Sequence, residues 1–176
     1  MADTEQRAAR IFREVAPSVV LVVKAKRSPG LIGPNTADIR TASGFVWDAE
    51  GHIVTTNLGV TGAELVQVRF AAGQLRRAEV LGSAPEYGLA VLRVEGMIGR
   101  CKPVPRGSSA NLAVGQAVFA IGDPFRLSGS LTQGLVSSLR PGRLAYAGPG
   151  KAALIQTDAP STSAMQGDLY WIRWGV

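Results

Sequence analysis

Along the first fifteen positions the apolar residues Ala8, Ile11, Phe12 and Val15 recur at three- and four-residue spacing. That is the period of one helical face, so a helix is predicted over 4–14, closed by Pro17. The period then changes. SVVLVVKA (18–25) is a β-branched run and reads as a buried strand. Residues 28–41, SPGLIGPNTADIRT, carry two prolines and two glycines and read as a loop. ASGFVWD (42–48), the turn AEG (49–51) and HIVTT (52–56) form a hairpin pattern. ELVQVRF (64–70) alternates cleanly, LRRAEVLG (75–82) follows the turn AAGQ, and GLAVLRV (88–94) is a short apolar run.

A stretch rich in Gly, Pro and Ser follows, and strands then resume with QAVFAIG, SLTQGLVSSL, AALIQTD and LYWIRW. Many short strands with one N-terminal helix predict an all-β protein, built as a barrel or sandwich. The Gly/Pro/Ser stretch divides the strands into two halves. The predicted organisation is a helical segment 1–16, a first barrel 17–97, a connector 98–111 and a second, incomplete barrel 112–176.

Composition agrees with a packed β protein. The chain has 176 residues, 46% hydrophobic and 18% charged, with 21 glycines and 10 prolines that supply turns. No apolar run reaches the roughly 18 residues of a membrane span. The charged, helical start does not read as a signal peptide. Cys101 is the sole cysteine and reads as a packing residue, so no internal disulfide forms. The net charge of +6 invites a nucleic-acid reading. Its bases are scattered, however (Arg7, Arg10 and Arg13; Lys24, Lys26 and Arg27; Arg76 and Arg77; Arg140 and Arg143), without interleaved aromatics to stack on bases. A solvated surface is the expectation, and nucleic acid is not an expected partner.

Several words of the sequence, in order, resemble the trypsin-like protease domain of the HtrA/Deg family over roughly residues 10–160. VAPSVVLV resembles its first strand and ASGFVWDAEGHIVTTN the hairpin leading to the catalytic histidine. PEYGLAVLRV resembles the strand that leaves the catalytic aspartate, and GSSANLAVGQAVFAIGDPFRL the start of the second barrel. SLTQGLVSSLRPGR and ALIQTDAP resemble the next strand and the approach to the nucleophile. The resemblance implies two six-stranded antiparallel barrels of trypsin-like type. It also implies a family setting in the bacterial periplasm or an organelle.

Serine-protease chemistry needs a base beside the hydroxyl, a carboxylate behind the base, and backbone N–H groups aimed at the oxyanion. The positions that the resemblance assigns to this chemistry are altered. Leu58 stands at the histidine position and Gly88 at the aspartate position. Counted on from Asp158, the nucleophile word Gly-Asn-Ser-Gly-Gly falls on Ala164, Met165, Gln166, Gly167 and Asp168, with Gln166 at the serine. The one histidine, His52, lies six residues before Leu58, about 20 Å along an extended strand, and reads as an exposed turn-flanking residue. Ser161 and Ser163 read as loop hydroxyls without a base. In a protease of this mechanism, losing the triad costs on the order of 10⁶ in turnover.

These losses predict a pseudoprotease that acts by binding protein, as a regulatory or structural subunit. A residual serine endopeptidase, or a chaperone-like binder of extended peptides, is the alternative. Expected partners are an active relative or further copies of the chain, a trimer among the options. Ile11 and Phe12 are candidate interface residues that equally suit packing on their own barrel. Tyr170, Trp171 and Trp174 lie on a strand that leaves the second barrel one short, and they suit either an interface or its core. No cofactor is implied. Asp48 and Glu50 read as solvated turn residues, no cluster has the spacing of a zinc site, and GDPFRLSGS lacks the lysine of a phosphate loop.

Overall fold

The computed structural model describes residues 3–28, 36–96, 102–123, 129–141, 153–160 and 171–172. Helix α1 (Asp3–Val15) leads through a 3-10 turn (Ala16–Ser18) into strand β1 (Val19–Ser28). Five more strands follow: β2 (Thr36–Val46), β3 (His52–Thr56), β4 (Leu65–Arg69), β5 (Leu75–Ala84) and β6 (Leu89–Arg93). All six close into an antiparallel barrel in the order β1-β2-β3-β6-β5-β4. The second half supplies β7 (Ala117–Gly122), β8 (Ser130–Pro141), β9 (Ala153–Thr157) and β10 (Trp171–Ile172). Among the described residues these form a four-stranded sheet in the order β10-β7-β8-β9. The all-β, trypsin-like expectation is therefore met.

One expectation needs correction. Residues 36–41 are strand rather than loop, because β1 and β2 pair continuously from Val19↔Phe45 to Ser28↔Thr36. Asp38, Ile39, Arg40 and Thr41 are all exposed, so this part of the ladder carries no in–out alternation to read. It is held by its partner strand, not by its own pattern.

Two apolar clusters stabilise the chain. The first fills the barrel with inward residues from every strand, among them Val20, Val22, Val46, Ile53, Val68 and Leu92. Each large aliphatic side chain so buried contributes about 1.5–3 kcal/mol of transfer free energy. The second cluster lies where the halves meet. Ile11 and Val15 of α1 pack with Val19, Val104, Phe119 and Ile121, and Phe12, Phe45 and Leu131 lie against them. Helix, first barrel, connector and second sheet thus share one interior.

Polar contacts reinforce that junction. Arg69 on β4 donates to Asp123 at the end of β7 (3.1 Å), and the Asp123 N–H donates to the Ser43 hydroxyl on β2 (3.0 Å). The connector is pinned by Val104 N–H to the Val46 carbonyl at 2.9 Å, and by Arg106 stacked 5.0 Å over the Trp47 ring. No helix among the described residues is long and apolar enough to cross a membrane.

Candidate functional site

The residues after β3 fold into a tight 3-10 turn, Asn57–Gly59. Thr56 caps it, its hydroxyl accepting the Gly59 N–H at 3.2 Å. The Asn57 carbonyl accepts the N–H groups of Val60 and Thr61 and the Thr61 hydroxyl. Lys24, reaching up from β1, donates its ammonium to the carbonyls of Leu58 (2.6 Å) and Thr61 (3.2 Å). Gly59 is required by space, since a Cβ there would lie 2.8 Å from the Ala42 Cβ. Leu58 at the tip of this turn is 70% exposed.

Gly88 closes a second 3-10 turn, Pro85–Tyr87, with a left-handed φ of 69°. Its carbonyl accepts the Asn57 N–H at 2.8 Å. The turns carrying positions 58 and 88 are therefore hydrogen-bonded neighbours. At one of them stands an alkyl side chain and at the other a hydrogen atom. Neither accepts or relays a proton.

The segment after β9, Asp158 to Pro160, is fastened to its neighbours. Asp158 accepts the Leu135 N–H at 2.6 Å, which binds the end of β9 to β8, and Ala159 N–H donates to the Thr157 hydroxyl. Gly134 makes room for this segment: a Cβ there would meet Asp158 Oδ1 at 2.5 Å and Ala159 Cα at 2.6 Å. Gln166, with Ala164, Met165, Gly167, Ser161 and Ser163, lies outside the described residues, as do Cys101, Tyr170 and Trp174. The main chain of Trp171 is in β10, paired with Ala120 of β7. Ile11 is fully buried within its own chain and Phe12 is half-buried against the same cluster, the second of the two alternatives foreseen for them.

His52 is not the exposed flanking residue expected. It is half-buried, and its Nδ1 lies 2.6 Å from Asp48 Oδ2. The other Asp48 oxygen accepts the backbone N–H groups of Glu50 and His52. Asp48 is accordingly not a free solvated group. Partial burial alone would raise its pKa, but the hydrogen bond from the His52 ring, the two backbone N–H groups and the His52 charge outweigh this and hold it below its ordinary value. Glu50 approaches His52 at 4.0 Å, so three ligand-type residues converge that sequence spacing did not bring together. Their mutual hydrogen bonds account for the arrangement as a fastening of the β2–β3 turn. It lies at the opposite end of β3 from Leu58.

Sequence reasoning also missed Lys24 and the Arg69–Asp123–Ser43 link. Their partners lie 34, 54 and 80 residues away along the chain; the barrel brings Lys24 to its partner, and packing of the second half on the barrel brings Asp123 to Arg69 and Ser43.

This barrel, with paired turns after β3 and before β6, is the frame of a trypsin-like domain. The family model described as trypsin-like peptidase domain matches residues 42–167, and the chain belongs to that family. Within it, the chain is homologous to the HtrA/Deg proteases. It is 38% identical over 154 residues to Protease Do-like 1, chloroplastic, of Arabidopsis thaliana, covering 85% of this chain and 35% of that protein. It is 32% identical over 148 residues to the serine endoprotease DegS of Salmonella typhimurium, covering 84% of this chain and 40% of that protein. The crystal structure of Deg5 superposes with a TM-score of 0.74 at 31% identity, covering 97% of this chain and 80% of that one. The HtrA-type protease AlgW, solved with a decapeptide, superposes with a TM-score of 0.71 at 24% identity, a likeness of fold, covering 86% of this chain and 51% of that one. The chain spans about a quarter to just over half of the length of the curated relatives it matches.

Proposed function

We propose that this protein is a catalytically inactive HtrA/Deg homologue that acts by binding another protein, as a regulatory or structural subunit. One observation carries the reading: the Asn57 N–H to Gly88 carbonyl bond joins the two turns where a base and its carboxylate belong, and Leu58 and Gly88 occupy them. The assignment of Gln166 to the nucleophile position adds a third alteration, on the resemblance alone. A serine hydroxyl without a base is a poor nucleophile at neutral pH, so Ser161 and Ser163 do not replace the lost machinery.

The partner classes that suit this reading are an active relative or further copies of the chain. The relatives' names as endoproteases favour the competing reading, a residual endopeptidase. One experiment separates the two: incubation of the full chain with a serine-directed fluorophosphonate, alongside a casein cleavage assay. No labelling and no cleavage are expected. Labelling or cleavage that disappears when Ser161 or Ser163 is replaced would overturn the proposal.

A further inference from the structure

The turn that carries Leu58 forms one wall of a cavity of about 230 Å³, lined by Lys24, Arg40, Thr41, Ala42, Thr56, Leu58 and Gly59. Three features of it point to a ligand. The first is charge. Among the described residues, two cations line the cavity and no carboxylate does. Lys24 and Arg40 are direct partners in the β1–β2 ladder. Like charges placed opposite one another in an antiparallel pair repel, and the pair is destabilising unless a counter-charge is supplied. Asp38 supplies part of one, touching Arg40 Nε at 3.3 Å from an exposed position. Among the described residues, Lys24 donates to the neutral carbonyls of Leu58 and Thr61.

The second feature is the apolar wall. Leu58 is 70% exposed, the most exposed large hydrophobic residue among those described. A single exposed leucine is ordinary on a protein surface. This one borders a cation-lined hollow, on a turn held by the Thr56 cap and by Lys24. The third feature is size. About 230 Å³ falls short of the roughly 300 Å³ at which small-molecule sites begin, and suits one or two side chains of a peptide.

We infer that this cavity binds an internal, extended segment of a partner protein that carries an apolar residue and, two positions on, a carboxylate. Residues i and i+2 of an extended chain share a face, so the apolar side chain covers Leu58 while the carboxylate meets Lys24 and Arg40. The inference rests on the reading that position 58 no longer serves catalysis. It names the chemistry of the partner that such a site accepts.

The test uses the full chain, ¹⁵N-labelled, titrated with the blocked peptide acetyl-Leu-Ala-Glu-Ala-amide. Saturable shifts of the Gly59 and Thr61 amides are expected. The matching Gln peptide should bind about threefold to fivefold more weakly, the effect of one solvent-accessible ion pair. Arg40→Gln should weaken the Glu peptide by a similar factor and reduce the Glu/Gln preference to the part that Lys24 supplies, and Leu58→Ser should weaken both peptides alike. Both substitutions fall at exposed positions, so the fold is retained in each.

Absence of saturation at millimolar peptide, or equal affinity in the parent chain and both variants, would overturn the inference. So would binding confined to acetyl-Leu-Ala with a free carboxylate, which would assign the cavity to a chain terminus instead. The fluorophosphonate assay reports separately on catalysis. Failure to bind peptide without labelling leaves the inactive-homologue reading standing, whereas labelling removes that reading whatever the peptides do.

Discussion

Replacing Ile11 by Ala takes three carbons out of the cluster that joins α1 to both halves of the chain. Ile11 is 0% exposed, among Val15, Val19, Val104, Phe119 and Ile121. At about 0.8 kcal/mol per buried methylene, the transfer loss alone is about 2.4 kcal/mol. The residual cavity adds to this, and buried Ile→Ala changes span about 2–5 kcal/mol. For a chain of this length, each kcal/mol moves Tm by about 2–4 °C, so a loss of about 3.5 kcal/mol lowers Tm by about 7–14 °C. Thermal unfolding followed by circular dichroism at two protein concentrations is the assay, with Arg10→Ala on the exposed face of α1 as the control, expected within about 0.5 kcal/mol of the parent. A loss below about 1 kcal/mol would refute the placement of Ile11 in the shared interior. So would a Tm that rises with protein concentration in the parent and not in the variant. That result would make Ile11 an anchor between copies.

Gly134→Ala should be strongly destabilising, by about 1–3 kcal/mol for the forced overlap with Ala159 and Asp158, whereas Gly82→Ala, with open space at its Cβ, should be near neutral; urea melts of the pair check this. For Asp48, the folded pKa lies below the ordinary carboxylate value of 3.8. Its contribution to stability is therefore fully present above that value and is lost as pH falls through the lowered folded value. The stability gap between the parent and Asp48→Asn should accordingly stay constant down to about pH 5 and shrink below pH 4, measured by denaturant melts across the acid range. Leu58→His alone should yield no detectable casein cleavage, because no carboxylate supports the new imidazole. Adding Gly88→Asp should cost about 1 kcal/mol of stability, since that position holds φ 69°, and an unchanged Tm would contradict the left-handed assignment.

Much of the barrel was legible because its strands alternate. Leu65–Arg69 and Leu89–Arg93 show buried and outward residues in strict turn, and that period is what a sequence displays. Residues 36–41 were misread because all the side chains described there face solvent, so only the partner strand identifies them. Leu58 and Gly88 were singled out by the order of the surrounding words, but not their nearness. That nearness follows from the pairing of β3 with β6, which ends at Thr56↔Leu89 and is continued by the Asn57 N–H to Gly88 carbonyl bond. The Asp48–His52 pair was hidden for a different reason. A turn that reverses the chain within four residues brings together groups in a segment that carries no helical pattern.

The main chain at residues 57–59 is set by a threonine cap, a lysine reaching from another strand, and a glycine under an alanine methyl. None of these involves the side chain of residue 58. What that residue carries is therefore free to change without moving its own scaffold. A position so insulated is where one occupation can be exchanged for another at small cost to the fold.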